Sequence, residues 1–425
     1  PDPAHPEALV SLLREATGRL AAGRFLFNSG ADRFVFRVGD TYRVTAQAVR
    51  GLAAASSLRV SSELLDARGA VTRRVSEPLA VTVEDGEAAV DVSLGTVSRM
   101  SGNAADLTLR LALWDAADKT LYDVVEQPLR VAPADGPAPT EARVSVAGSG
   151  FMLGRRPLHI FGVNYWPLST TGRRRGEFNP HWLDARVFDP DLIRRDLDRL
   201  QEAGLNSVAI QYSEEAQAPQ LLYFLDEIRA RNMWVYLYMA GLSPLDLDVH
   251  RARRLAEAIQ LPRQTCVYAL DLAWEPHLGL ESDRARFDAD WRAWLIEQFG
   301  SFRHAEEILG RPLWRRDGEV TGPPDRELAT DGEDHRVAVA AYRRFVDDWV
   351  SRRYGAIRRF LSQLGCRQLL SARSGYGGTG NAWADPYFPL DLASGAVHLD
   401  FLCPEGWGLA GAPSVFEEAG FLAAY

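Results

Sequence analysis

The chain gives up a period-two pattern for strand–helix alternation at "APADGPAPTEA", residues 132–142, and this change limits the possible folds more than any other feature. From about Phe25 to Val131, runs such as "RFVFRVGD", "YRVTAQAV", "LAVTVEDG" and "LTLRLALWD" alternate apolar and polar residues, with turn signals "DARG", "VEDGE" and "DAADK" between them. Alternation at period two places the apolar side chains on one face of a strand. Many short strands of this kind read as a β-sandwich. After the linker, strand-like runs alternate with amphipathic helices. "FDPDLIRRDLDRLQEAGLN" reads as a helix with Asp189 as N-cap and Pro190 in the first turn. Ile193, Leu197 and Leu200 share one face, and Gly204 lies past the end. Repeated strand–helix units build a parallel sheet covered by helices.

Six strand candidates follow the linker, with a charged helical insertion near residues 281–365 between the fourth and fifth. The expected layout has four parts. Residues 1–24 form an N-terminal helix, with Leu9, Leu12, Leu13, Ala16 and Leu20 at helical spacing. Residues 25–131 form the sandwich, 132–142 the linker, and 143–425 a (β/α)8 barrel that is C-terminally incomplete. A doubly wound open sheet would want a glycine-rich phosphate loop after its first strand, and "GVNYWP" has none.

Composition narrows the class. At 46% hydrophobic and 25% charged residues, the 425-residue chain is that of a soluble globular protein. A formal net charge of −9 argues against a nucleic-acid partner, which needs a basic face to displace counterions. Cys266, Cys366 and Cys403 are too few and too widely spaced for a disulfide framework and read as buried small hydrophobes. No membrane span is expected, because the most apolar window is cut by Asp226, Glu227, Arg229 and Arg231. The chain begins at Pro1 without a visible signal peptide, which fits a cytoplasmic protein or an exported one whose signal has been removed. No metal is expected, since the histidines show no ligand spacing such as H-E-x-x-H, and no cofactor motif is present. Nothing in the sequence specifies an oligomeric state.

In a barrel, the carboxyl ends of the strands line the active site. Reading them off gives Asn164, Tyr165 and Trp166; Tyr212, Ser213 and Glu214; Tyr238; Trp274, Glu275 and His277; Arg373 and Tyr376; Glu405 and Trp407. Aromatic faces stack on sugar rings, and paired carboxylates cleave glycosidic bonds, so this rim has the composition of a carbohydrate site. The Glu275 carboxyl beside the Trp274 indole has the desolvated setting a general acid requires. The plainer reading of Glu275 is a loop cap or an arginine partner, and His277 can bind substrate or cap a loop. "GRRRGEFN" (172–179) reads as a solvated charged loop. "SGYGGTGN" (374–381) reads as a loop, because no lysine follows its glycines.

These residues carry a resemblance. "GFMLGRRPLHIFGVNYWP" looks like the barrel entry of family 2 glycoside hydrolases, where an immunoglobulin-like sandwich precedes a segment of the type F-x-L-N-G-K-P-x-x-x-x-G-V-N. "LDRLQEAGLNSVAI" is similar to the next helix and strand of the large clan of retaining glycosidases, which includes family 5. "LDLAWEPH" resembles that clan's fourth strand, whose Asn-Glu or Asn-Glu-Pro carries the acid/base. The insertion beginning "FDADWRAWLIEQFGSFRHAEEILGRPLW" is similar to that of family 42 β-galactosidases.

The resemblance covers roughly residues 143–425, plus the sandwich by position. It implies a TIM barrel behind an immunoglobulin-like sandwich, a β-linked oligo- or polysaccharide substrate, and Glu275 as acid/base. Two positions depart from the pattern. Trp274 stands where the family has Asn, and the seventh-strand nucleophile is expected beyond residue 425, with Glu405 as a lesser candidate. The expectation is therefore a retaining glycosidase. The alternatives are a non-catalytic carbohydrate-binding pseudoenzyme and a structural scaffold.

Overall fold

A computed structural model describes residues 6–49, 58–78, 80–81, 87–97, 105–115, 119–131, 143–167, 181–185, 187–328, 334–374, 390–391 and 393–404. The linker, residues 132–142, lies outside the described residues. The chain divides into two compact units. The first comprises Pro1–Pro137, Trp166–Arg199 and Ala216–Glu227; the second comprises Ala138–Tyr165, Leu200–Glu215 and Ile228–Tyr425.

The first unit opens with α1 (Pro6–Ala22) and continues with nine strands. These are β1 (Phe25–Ala31), β2 (Val35–Phe36), β3 (Thr41–Val49), β4 (Leu58–Asp66), β5 (Val71–Pro78), β6 (Ala80–Val81), β7 (Glu87–Thr96), β8 (Ala105–Asp115) and β9 (Leu121–Val131). They form two sheets, β1-β3-β7-β6 and β2-β9-β8-β4-β5, antiparallel except for β2 against β9. Strand β3 shows why the sequence does this: Tyr42, Val44, Ala46 and Ala48 are buried, while Arg43 and Thr45 between them are exposed. Val44 and Val92 of one sheet share a core with Val60, Leu109 and Leu129 of the other, so the two sheets form a sandwich. The later segments of this unit contribute a second aromatic nucleus. Trp182 is buried with its ring 6.2 Å from Phe188 and 5.1 Å from Phe224.

The second unit begins with an antiparallel sheet of β10 (Val144–Ala147), β11 (Gly150–Leu153) and β12 (Arg156–Leu158). A six-stranded parallel sheet follows. Its strands are β13 (Gly162–Asn164), β14 (Ser207–Tyr212), β15 (Trp234–Met239), β16 (Val267–Trp274), and, past the short hairpin β17 (Arg315–Arg316) and β18 (Glu319–Val320), β19 (Leu369–Ser374) and β20 (Cys403–Pro404). They lie side by side in chain order. Helices α2 (Pro190–Glu202), α3 (Ala218–Ala230) and α4 (Val249–Ala258) join the first four, the crossover that parallel pairing requires. Among the described residues β13 and β20 are the sheet's two edges, and no closed barrel is formed.

The charged insertion between β16 and β19 folds as α5 (Glu281–Arg284), α6 (Asp288–Phe299), α7 (Phe302–Leu309), α8 (Asp325–Leu328) and the 28-residue α9 (Arg336–Gln363). It has its own aromatic core: fully buried Trp291 lies 5.4 Å from Trp294, 5.3 Å from Tyr342 and 5.4 Å from Phe345. All three cysteines are free, and burial pushes the Cys366 thiol up to about 12. No helix among the described residues is long and apolar enough to cross a membrane.

Candidate active site

Strand alternation sorts the parallel sheet into two faces. Val208, Ile210, Val235, Leu237, Leu270 and Leu272 point one way and are fully buried. Register places Asn164, Ala209 and Tyr236 side by side on the other face, and Tyr238, Asp271 and Ser371 in the next row. The lower part of this second face is largely apolar. Tyr236, Tyr268 and Ala269 pack with Phe151, Leu153 and Leu158 of the antiparallel sheet and with Phe401.

The upper part carries the polar groups. Near its end β16 departs from regular pairing: Asp271 pairs with Ser371, but Trp274 pairs with Arg373, so three residue steps on one strand match two on the other. Such a bulge re-aims the side chains that follow it. It brings Trp274 directly onto Arg373, with the guanidinium carbon 3.7 Å from the indole centroid. Tyr238 meets the same indole edge-on, with centroids 6.4 Å apart. Arg373 is 5% exposed and held from two further sides. Its Nη1 donates to Asn164 Oδ1 at 2.7 Å, and its Nε lies 3.3 Å from Asp271 Oδ2.

Asp271 takes up the slack of the bulge. Its Oδ1 accepts the Arg373 backbone N–H at 3.1 Å, and the Ala273 N–H and Tyr236 hydroxyl also face the carboxylate. Complete burial pushes its carboxyl up to about 7, against the opposing pull of Arg373 and the two N–H groups. Burial likewise raises the Tyr238 hydroxyl, and the Asp271 charge adds to the shift.

Glu275 follows immediately. Its N–H donates to the Arg373 carbonyl at 2.9 Å, and its φ of 47° is left-handed. That conformation costs a residue other than glycine roughly 1–2 kcal/mol. Strain of this kind persists where surrounding contacts over-determine the backbone, and it clusters at functional positions. Trp274, Glu275 and His277 are all half-buried, accessible to a ligand without being free in solvent.

The fold thus brings Asn164, Trp274, Glu275 and Arg373 together. Tyr165 is buried, and its N–H donates to the Ala209 carbonyl at 2.9 Å. Tyr212 falls with Val208 and Ile210 on the opposite face and is fully buried, while Gln211 takes the place on the Ala209 face. Trp166 is grouped with the first unit. Tyr376, Glu405 and Trp407 lie outside the described residues. Sequence reasoning passed over Asp271 and Tyr236. The signal was present in "VYALDLAW", where one carboxylate interrupts an otherwise apolar strand. No group of three or more histidine, cysteine or acidic side chains among the described residues is placed to hold a metal.

No family model and no curated protein matches the chain. Among solved structures it is similar to Bacteroides uniformis β-glucuronidase 2 covalently bound to cyclophellitol-6-carboxylate aziridine, at 11% identity and a TM-score of 0.33, covering 94% of this chain and 38% of that one. A second is Parabacteroides merdae β-glucuronidase, at 11% identity and a TM-score of 0.32, covering 93% and 38%. A third is a glycosyl hydrolase family 2 member from Bacteroides cellulosilyticus DSM 14838, at 10% identity and a TM-score of 0.30, covering 90% and 38%. The chain spans about two fifths of the length of these structures.

Proposed function

We propose that the chain is the sandwich and barrel portion of a retaining glycoside hydrolase acting on β-linked oligo- or polysaccharides. The immunoglobulin-like sandwich covers 25–131 and the barrel runs from 143, with the parallel sheet as its first six strands. In this reading Glu275 is the general acid/base. It protonates the leaving oxygen, then deprotonates the water that resolves the glycosyl–enzyme intermediate. Trp274 and Tyr238 form the aromatic wall for the sugar, and Asn164 and His277 contact its hydroxyls. The second carboxylate of the scheme is sought at Glu405 or beyond residue 425.

One observation carries the reading. A half-buried carboxylate residue is held in a strained conformation at the carboxyl end of a parallel strand, hydrogen-bonded to the neighbouring strand and next to an edge-to-face aromatic pair. The rival reading is a non-catalytic carbohydrate-binding protein. It is favoured by Trp274, which occupies the place of the sugar-contacting Asn and has one face covered by Arg373.

Kinetics of wild type and Glu275→Gln separate the two. General acid catalysis contributes typically about 10²–10⁴-fold, so the variant is expected to lose that much turnover on natural glycans. Aryl glycosides with good leaving groups need little protonation, and their first step is expected to survive, with azide restoring turnover. Equal turnover by Glu275→Gln on a natural glycan would reduce Glu275 to a structural carboxylate. Glycan binding without turnover by the wild type would favour the rival.

A further inference from the structure

We propose that Asp271 is a positioning residue: through Arg373 it fixes the orientation of Trp274 and the placement of Glu275. The effect on turnover rests on the glycosidase reading, whereas the effect on Trp274 does not.

Asp271 and Arg373 are 1% and 5% exposed. Removing these two groups from water to this depth costs more than their attraction returns, so net stability does not explain them, and a fixed geometry does. That geometry is specific. Asp271 grips Arg373 twice, at the backbone N–H and beside Nε. Arg373 in turn reaches the next two residues of β16 by separate routes, its guanidinium lying flat on the Trp274 indole and its carbonyl accepting the Glu275 N–H. Asn164 holds the far end of the guanidinium. Both routes to the Trp274–Glu275 pair therefore pass through a residue whose orientation Asp271 sets. The bulge makes such a clamp necessary, because regular ladder pairing is interrupted between Asp271 and Trp274. An apolar side chain at 271 would fill the volume but remove the carboxylate beside the Arg373 Nε and backbone N–H.

The test uses the intact protein labelled with 5-fluorotryptophan, observed by fluorine NMR, with the Trp274 resonance assigned from Trp274→Phe. Asp271→Asn removes the charge at constant volume. Asn164→Ala, at an exposed position on β13, releases the other end of the guanidinium and covers the case in which Asp271→Asn does not fold. The Trp274 resonance is expected to shift or broaden in both variants, while the other tryptophan resonances keep their positions. Small misplacements at a reacting centre cost about a hundredfold, so kcat of Asp271→Asn is expected to fall by about that factor with KM little changed. A Trp274 resonance unchanged in either folded variant overturns the proposal, as does wild-type kcat in Asp271→Asn. A moved Trp274 resonance in a protein whose wild type turns over no β-glycoside supports the clamp and sinks the glycosidase reading instead.

Discussion

At the scale of single residues, the buried carboxylate makes the sharpest prediction. Asp271 titrates from an ordinary carboxylate range when unfolded to about 7 when folded. Its folded-state affinity for the proton is raised, so folding takes up a proton between roughly pH 4 and pH 7. The stability associated with this group is full at the acid end of that window and is lost as pH rises through about 7. Asn cannot titrate. Wild type should therefore lose stability relative to Asp271→Asn between pH 5 and pH 8, measured as the difference in denaturation midpoints. A difference that moves the other way would mean that Arg373 and the surrounding N–H groups outweigh burial. Legibility at this scale was uneven. The strand-end position of Trp274 and Glu275 could be read because "AWEP" sits where an apolar strand stops. The face of Tyr212 could not. Both sides of β14 are buried, so "SVAIQYS" shows no alternation that would reveal which side chains look inward. The β16 bulge is invisible too, because it depends on the partner strand.

At the scale of elements, the β13 edge shows how one small residue sets the site. A Cβ on Gly162 would run into the Ser207 carbonyl of the neighbouring strand, so only glycine lets β13 approach β14 closely enough to pair. Asn164 is two residues further along the same short strand and anchors Arg373. Gly162→Ala is therefore expected to cost about 1–3 kcal/mol, the usual range for overpacking. It should also speed hydrogen exchange at the Tyr165 amide, which donates to the Ala209 carbonyl on β14. Gly18→Ala is the contrasting case. Gly18 sits within exposed α1 with open space around it, and alanine there should stabilise the helix by about 0.5–1 kcal/mol. A Gly162→Ala variant as stable as the wild type would sink the close-approach explanation. The strands and helices themselves were largely legible. The N-terminal helix, the period-two strands and the helix from Pro190 all rest on local patterns that tertiary contacts did not override.

At the scale of the whole molecule, the chain order of the segments and their grouping in space part company. The linker marks a change of pattern, yet residues 166–199 and 216–227 group with the sandwich rather than with the parallel sheet. No local pattern encodes this, because it depends on which surfaces meet after folding. Within that unit, β9 and α3 are tied by Arg130. Its guanidinium lies 4.9 Å from the Tyr223 ring centroid and 3.5 Å from Glu227, and its side chain is 19% exposed. Arg194 makes a parallel set of contacts, 5.7 Å from the same ring and 3.5 Å from the same carboxylate, but its side chain is 37% exposed. The two arginines thus share Tyr223, Glu227 and Asp106 and differ chiefly in burial, with Arg194 also 3.5 Å from Asp191. Exposed ion pairs return about 0–1 kcal/mol, whereas partly buried charged hydrogen bonds and desolvated cation–π contacts return about 1–3 kcal/mol. Arg130→Ala should accordingly destabilise the intact chain by about 1–3 kcal/mol and Arg194→Ala by less than about 1 kcal/mol, measured by equilibrium denaturation. Each variant leaves Glu227 one arginine, so neither strands an unpaired buried charge, and the two together should cost more than the sum of the singles. Equal effects, or the reverse order, would show that burial does not set the strength of these arginine contacts.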